Sequence, residues 1–348
     1  MSRRNYLKFI GYLQVIGIIL VVLGHSFHEY PDAHHGYSLL VVRMIYSFHM
    51  PLFIFISGFL LYYVGFLGKE RKQTPGIYIY QKMKRLIIPY IVLTTVTFLP
   101  RASLSMMADD KLHTDLATFL RSFFYGNSLV IPFFWFLQAS FILLIVCYSI
   151  LYISHRTCNG EKGGIITLLI ISIALYFLPL QVSTFWSFNK ICALGIYFVI
   201  GICYGYGYER IDRIVPWNSV IFLIIMGCIW AVSFYFTENT GWVWICAMAG
   251  IMMCISFAKL LVRYKFTFLD HLIGANYIIF LLSWYFNIGM QQVLHHFTNY
   301  YWWVYTLLSL FFGIYVPYIF YRWMERHKEK HIVKGLAFLL GQQFKNRR

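Results

Sequence analysis

The chain has 348 residues, of which 60% are hydrophobic and only 12% are charged. Soluble proteins average about 45–50% apolar and about 25% charged residues, so this composition excludes an ordinary cytosolic enzyme, a secreted disulfide scaffold and a disordered chain. The net charge of +16 does not indicate nucleic-acid binding, because the basic residues lie in short segments between apolar runs. The sequence predicts a polytopic integral membrane protein.

Ten apolar runs are long enough, at about 20 residues each, to cross a bilayer as α-helices. Pro100 and Arg101 interrupt the third run, which a membrane helix tolerates where its neighbours satisfy the freed backbone groups. We therefore predict an all-α bundle of about ten transmembrane helices that forms a single domain over residues 1–348. The predicted spans are 8–28, 39–66, 86–106, 133–153, 164–181, 190–208, 217–236, 242–262, 272–291 and 301–322.

The basic residues predict the orientation of these spans. With the N-terminus in the cytoplasm, the cytoplasmic segments hold 24 of the 29 Lys and Arg residues. Because Lys and Arg concentrate on the cytoplasmic side of membrane proteins, both termini are expected inside, with a partly interfacial tail over 323–348. No small-residue cleavage site follows the first run, so we expect an uncleaved, multi-pass protein of the cytoplasmic membrane.

The cysteines and loop histidines do not indicate a metal site. Six of the seven cysteines lie inside apolar runs and no C-x-x-C pair occurs, so we interpret them as small packing residues. His34 and His35 in the first outer loop do not have the spacing of a structural zinc site either. No metal is therefore expected.

The first span ends in polar side chains, which are costly at bilayer depth and so are candidates for a functional site. His25 is followed four residues later by Glu29, which places both on one helix face. A carboxylate one turn from an imidazole can fix its tautomer and raise its basicity, as a general base requires. The alternative is that both groups are solvated at the interface.

The second span contains Arg43 and His49, about 9 Å apart along a helix axis. Both are expected in the outer half of the membrane, as is His25 of the first span. If the two spans pack together, these three side chains line one cavity. The alternative for Arg43 is an interfacial residue whose charge reaches water.

A basic cluster at the start of the third span ends in Lys82, Lys84 and Arg85. Basic residues are expected at such a position for topology alone, and anionic lipids would satisfy their charge. The alternative is an anchor for an anionic cofactor that carries phosphates.

Several segments of the first 140 residues resemble the acyltransferase type 3 family of integral membrane proteins, especially its fucose 4-O-acetylase-like branch. Ile18–Ser26 (IILVVLGHS) ends on the family's first-helix histidine, here His25, and Ser47–Leu60 (SFHMPLFIFISGFL) is the most specific match. Lys82–Tyr90 resembles the family's basic-to-proline entry into the third helix. Phe134–Phe141 is similar to its Trp-Phe-Leu motif.

This resemblance implies transfer of an acyl group, usually acetyl, from cytoplasmic acyl-CoA (acetyl-CoA) to a hydroxyl of an extracytoplasmic or lipid-linked glycan. The expected partners are this glycan and membrane lipids, and the sequence does not indicate an oligomeric state. The site residues assigned with its help are His25 and Glu29 for catalysis, Arg43, His49, Ser57 and Trp135 for substrate binding, and Lys82, Lys84, Arg85 and Gln14 for binding the donor.

The chain departs from the family pattern within the first span. Family members normally have an acidic residue fourteen positions before the histidine and an Arg or Lys eleven before it, where this chain has Gly11 and Gln14. Gln14 can donate hydrogen bonds but carries no charge. Later in the chain, Ser283 lies near the place where related proteins often have a histidine. Either donor recognition is rearranged or the activity is altered.

Two other functions stay open at this point. One is a transporter or flippase for a glycan or small solute that performs no covalent chemistry, although no internal repeat is visible in the sequence. The other is a non-catalytic sensor or scaffold that keeps the architecture of the family. Gly11 and Gln14 are the only argument for the latter, and His25 argues against it.

Overall fold

The computed structural model describes residues 3–27, 36–66, 73–105, 115–126, 130–157, 160–177, 183–237, 240–297, 302–342 and 344. Of these residues 85% are helical, and none forms a β-strand. The helices are α1 (Arg3–Gly24), α2 (Gly36–Tyr46), α3 (His49–Leu60), α4 (Pro75–Lys82), α5 (Ile88–Ser105), α6 (Leu116–Phe124), α7 (Trp135–Arg156), α8 (Gly160–Phe177), α9 (Phe188–Tyr206), α10 (Tyr208–Ile214), α11 (Val220–Tyr235), α12 (Thr240–Arg263), α13 (Asn276–Phe297), α14 (Trp302–Arg326) and α15 (His331–Leu339).

The prediction of an all-α integral membrane protein is confirmed. Within the described part of the chain, seven helical segments are long and apolar enough to cross a membrane, and two apolar helices, Lys8–Gly24 and Val220–Tyr235, are shorter. The count of ten spans and the side on which the termini lie stay predictions. The seven segments are Leu39–Phe66, Pro75–Pro100, Pro132–Arg156, Gly160–Phe177, Phe188–Tyr206, Gly241–Arg263 and Trp303–Arg326.

The chain divides into two compact units. The first unit consists of Met1–Phe53 and Glu209–Lys328, and the second consists of Ile54–Tyr208 and Glu329–Arg348. The N-terminal segment of each unit is therefore completed by a segment from much later in the chain. The assignment of a single functional domain stays a prediction.

In the first unit, α1 packs against α12, α13 and α14, while α11 pairs with α12 and α13 pairs with α14. Glycines of α1 and α12 permit two further close approaches, to the side chains of Phe53 in α3 and of Phe48 just before it. A methyl group on Gly17 would lie 2.9 Å from Cζ of Phe53, and one on Gly250 would lie 2.5 Å from Cβ of Phe48. Small residues serve this purpose in membrane proteins, where helices associate through close packing rather than through exclusion of water.

A proline divides the predicted second span into α2 and α3. Pro51 lacks the N–H that would bond the carbonyl of Ser47, and its ring clashes with that carbonyl, so a continuous helix is interrupted there. The N–H groups of Ser47 and Phe48 still bond to Arg43 and Ile45, at 3.0 and 3.3 Å. This break places His49 at the start of α3.

In the second unit, α7 packs against α8 and α9, and α9 contacts the π-helical turn Leu61–Phe66 that follows α3. The backbones of α3 and α9 approach so closely that a methyl group on Gly58 would overlap the carbonyl of Phe198. A methyl group on Gly201 would likewise overlap the carbonyl of Phe55. Ser57 and Gly58, in the segment that resembles the family most specifically, therefore lie where α3 contacts α9.

The third predicted span differs from the structure at its start. The sequence predicts its first residue at position 86, whereas the helix begins at Pro75 and continues through a π-helical turn, Met83–Ile87, into α5. Proline is favoured in the first turn of a helix, where its missing N–H has no partner to lose. As a result, Lys82, Lys84 and Arg85 lie within a helical segment rather than before it.

Candidate active site

The candidate site begins at the end of α1, where His25 directly follows the last helical residue. The last four carbonyls of a helix have no partner within it, and each one left unsatisfied in a membrane costs several kcal/mol. Here all four have donors. The N–H groups of His25 and Ser26 bond to Val21 and Leu23, the Ser26 hydroxyl bonds to Val22 at 2.6 Å, and Tyr46 donates to Gly24 at 3.4 Å.

The ring of Tyr46, from the last turn of α2, brings two histidines together. Its centroid lies 6.1 Å from that of His25 and 4.9 Å from that of His49. Gly24 allows this approach, because a methyl group there would lie 2.7 Å from Cε1 of Tyr46. The structure therefore places both predicted histidines against one tyrosine, which the sequence did not indicate.

His49 has a fixed tautomer. Its Nδ1 lies 2.9 Å from the carbonyl oxygen of Ile45, and a carbonyl can only accept a hydrogen bond, so Nδ1 carries the proton. In the neutral ring Nε2 then keeps a lone pair, which can accept a proton or a hydrogen bond from a hydroxyl group. The side chain is buried, so the ring is held rather than free to reorient in water.

Two amide side chains of α13 complete this region and were missed by the sequence analysis. Nδ2 of Asn287 donates to the carbonyl of Val22 at 3.3 Å, and Nε2 of Gln291 lies 3.2 Å from the carbonyl of Ser26 and 3.4 Å from that of His25. The sequence nevertheless contains an indication of them, because two amide side chains four residues apart in an apolar run are costly in a membrane and therefore mark a candidate functional site.

Of the two other residues predicted for this region, the structure describes Arg43 but not Glu29. Arg43 is an exposed side chain near the end of α2. Glu29, the predicted partner of His25, lies outside the described residues. The proposed link between the carboxylate and the imidazole therefore stays a prediction.

The basic residues of the predicted donor site lie in the second unit, on and around the π-helical turn. The Lys82 ammonium lies 4.6 Å from the centre of the Tyr78 ring, and that of Lys84 lies 4.2 Å from the Tyr80 ring. Arg85 is exposed. Ammonium groups over aromatic faces are stabilised without losing their charge.

The C-terminal helix α15 packs on this same turn. Lys84 also lies 5.9 Å from the ring of Phe338, and the backbone of Gly341 lies directly against the carbonyl of Arg85. Gly341 has φ of +60°, a left-handed conformation that favours glycine. The tail thus supports the basic turn from one side.

Comparison with known protein families decides the assignment. The model of the acyltransferase type 3 family, described as an acyltransferase domain, matches residues 7–322. The chain belongs to the acyltransferase type 3 family. This membership supports a membrane acyltransferase and does not favour transport without covalent chemistry. Neither the search of curated proteins nor the search of solved structures gives a match.

The family match includes every predicted site residue and ends before α15. The resemblance noted in the sequence is confirmed for the family, while the fucose 4-O-acetylase-like branch stays a prediction. Ser57, half-buried in α3, adjoins the contact that Gly58 makes with α9. Trp135 begins α7 and has the Lys190 ammonium 5.5 Å from its ring centre.

Two of the three departures from the family pattern, Gly11 and Gln14, lie on α1, and the third, Ser283, lies on α13. Gly11 faces Ile273, and a methyl group on it would lie 2.9 Å from Cδ1 of that side chain. Gln14 is half-buried in the middle of the helix.

Among the described residues, no group of three or more His, Cys, Asp or Glu side chains is arranged to hold a metal ion.

Proposed function

We propose that this membrane acyltransferase moves an acetyl group from cytoplasmic acetyl-CoA to a hydroxyl of an extracytoplasmic or lipid-linked glycan, in the modification of a cell-envelope polysaccharide. The observation that supports this function is the grouping of His25, Tyr46 and His49 at the satisfied end of α1, within the part of the chain that matches the family. The proposed location is the cytoplasmic membrane.

In the proposed reaction, His25 acts as the general base. The acceptor hydroxyl oxygen attacks the thioester carbonyl while the imidazole takes the hydroxyl proton. The new C–O bond forms, the C–S bond breaks, and CoA leaves as a thiolate that receives the proton back from the imidazolium. The lone pair on Nε2 of His49 is suited to hold an acceptor hydroxyl, because its Nδ1 proton is committed to the carbonyl of Ile45.

The donor is proposed to bind through Lys82, Lys84 and Arg85, whose charges suit the phosphates of CoA, with Gln14 as a hydrogen-bond donor. Arg43, Ser57 and Trp135 are proposed to bind the acceptor. Trp135 offers a half-buried ring and Arg43 an exposed charge at the end of α2.

The test compares surface and lipid-linked glycans by mass spectrometry in cells that lack the protein, carry the wild type, or carry His25→Ala. Membrane levels are matched by quantitative blotting. His327→Ala is the control, because His327 lies beyond the family match, directly after the end of α14, and its Nδ1 bonds locally to the carbonyl of Trp323. The proposal expects an added acetyl mass in the wild type and His327→Ala and its loss in His25→Ala.

Three outcomes would contradict parts of this proposal. A modification that survives in His25→Ala would remove the role of His25. A larger acyl mass would replace acetyl as the transferred group. No glycan difference among the strains, combined with a change in glycan export, would favour transport.

A further inference from the structure

Helix α13 has two amide side chains where an apolar residue would cost less. Asn287 is 1% exposed and Gln291 is 6% exposed. They are four residues apart and therefore share one face of the helix. A buried amide is costly unless it is hydrogen-bonded, so the groups that Asn287 and Gln291 bond to indicate what these side chains do.

These partners are backbone groups around His25. The amide of Asn287 donates to the carbonyl of Val22 at 3.3 Å, and its oxygen lies 3.5 Å from the hydroxyl of Ser26. The NH₂ group of Gln291 has two hydrogens and lies within reach of two successive carbonyls, those of His25 and Ser26. Together the amides contact the backbone before, at and after His25.

The neighbouring helix leaves room for this arrangement. A methyl group on Gly313 of α14 would overlap Oδ1 of Asn287 and would lie 2.9 Å from Cγ1 of Val22. Only a residue without a side chain therefore lets α14 pack over the contact between Asn287 and Val22. The amide pair is enclosed on the side of α14 as well as bonded to α1.

We infer that Asn287 and Gln291 are positioning residues that hold the backbone of His25 so that its imidazole stays against Tyr46. The inference rests on the proposed function, in which His25 is the base. His25 lies beyond the last helical residue, and helix ends fray unless their carbonyls are capped. Asn287 adds a second donor to the carbonyl of Val22 in the last turn, and Gln291 contacts the carbonyls of the two residues that follow the helix. A displacement of a catalytic group by about 1 Å can cost about 10²-fold in rate.

The first readout is kinetic. Membranes containing Gln291→Met or Asn287→Leu are supplied with acetyl-CoA, and release of the CoA thiol onto the endogenous acceptor is followed. We expect kcat to fall about 10- to 100-fold, with the KM for acetyl-CoA unchanged. The matched control is Gly289→Ala, since no atom lies within 4 Å of a methyl group at that position of the same helix.

The second readout does not depend on activity. Purified protein is treated with diethyl pyrocarbonate, and labelling of His25 is measured by mass spectrometry relative to His327 in the same sample. Gln291→Met is expected to raise the labelling of His25 several-fold, and Gly289→Ala is expected to leave it unchanged. Gln291→Asn, which withdraws the amide by one methylene group, replaces the Met variant if that variant does not accumulate.

The two readouts separate the inference from the proposed function. If the wild type releases no CoA thiol, the proposed function fails, and the labelling of His25 alone decides the positioning role. If the wild type is active and Gln291→Met keeps both its kcat and its labelling, the inference is overturned. A lower kcat with unchanged labelling also overturns it, because the amide would then act other than through His25.

Discussion

Substitution of Gly341 by alanine should detach the C-terminal helix from the basic turn and weaken donor binding. The position has φ of +60°, and an added methyl group would overlap the carbonyl of Arg85 and lie 3.0 Å from its Cα. Backbone atoms within a helical segment cannot rotate aside as a side chain can. The strain must therefore be relieved by movement of the tail.

The magnitudes favour release of the tail. A left-handed conformation costs a residue with a side chain about 1–2 kcal/mol, and overpacking costs about 1–3 kcal/mol, so the penalty is about 2–5 kcal/mol. The stripe that docks α15 consists of Val333, Ala337 and Leu340, all buried. Burial of the valine and leucine is worth about 1.5–3 kcal/mol each, so the penalty is comparable to the docking free energy.

The assay combines limited trypsin digestion of the tail with the KM for acetyl-CoA in membranes. Gly341→Ala should raise both the cleavage rate after Lys330 and Lys334 and the KM, each several-fold. The control is Gly335→Ala in α15, where a methyl group meets no atom within 4 Å and helix propensity improves. Unchanged proteolysis would refute the packing argument. A released tail with unchanged KM would refute the role of the basic turn in donor binding.

Two further substitutions test the packing of each unit. Lys259→Met removes the buried cation that pairs with Asp212 and should lower the thermal midpoint of the purified protein, because the partly exposed Asp212 carboxylate loses its partner. Adding Asp212→Asn should recover part of that loss, and no recovery would contradict the pairing. Gly58→Ala should abolish the monodisperse size-exclusion peak through its overlap with the carbonyl of Phe198, whereas Gly195→Ala, 3.5 Å from its nearest neighbour, should keep it.

Local composition accounts for the part of the fold that could be predicted. Each predicted span overlaps a helix, because the apolar content of about 20 consecutive residues is a property of the segment alone. The division of the second span was not predicted, although its cause, Pro51, is visible in the sequence. The hydropathy of the run continues through the break, and hydropathy does not report on backbone hydrogen bonds.

The candidate site could be predicted only where chemistry and local spacing coincide. His25 and His49 were found because imidazoles are conspicuous in apolar helices. Tyr46 was not, since a chain with 28 tyrosines gives no reason to select one. Asn287 was missed because its contact with Val22 joins residues 265 positions apart, and helix pairing over that distance depends on the whole unit.

The departure at Gly11 has a packing explanation that weakens the case for a non-catalytic protein. Ile273 fills the space in front of Gly11, so an acidic side chain at position 11 would meet a hydrocarbon group. An acidic group nevertheless lies beside the first half of α1. Asp270 pairs with Lys8 at 2.8 Å and accepts a hydrogen bond from Tyr12 at 2.5 Å.

That acidic group keeps its charge. Partial burial raises the pKa of the Asp270 carboxyl, but the hydrogen bonds from Lys8 and Tyr12 lower it by more, so the net pKa lies below its ordinary value. The carboxylate therefore stays ionised at neutral pH, and its contribution to stability is lost only as the pH falls through that lowered pKa. A negative charge from the segment before α13 therefore lies beside this half of α1. Ile273 thus fills the space in front of Gly11, while every carbonyl in the last turn of α1, next to His25, has a hydrogen-bond donor.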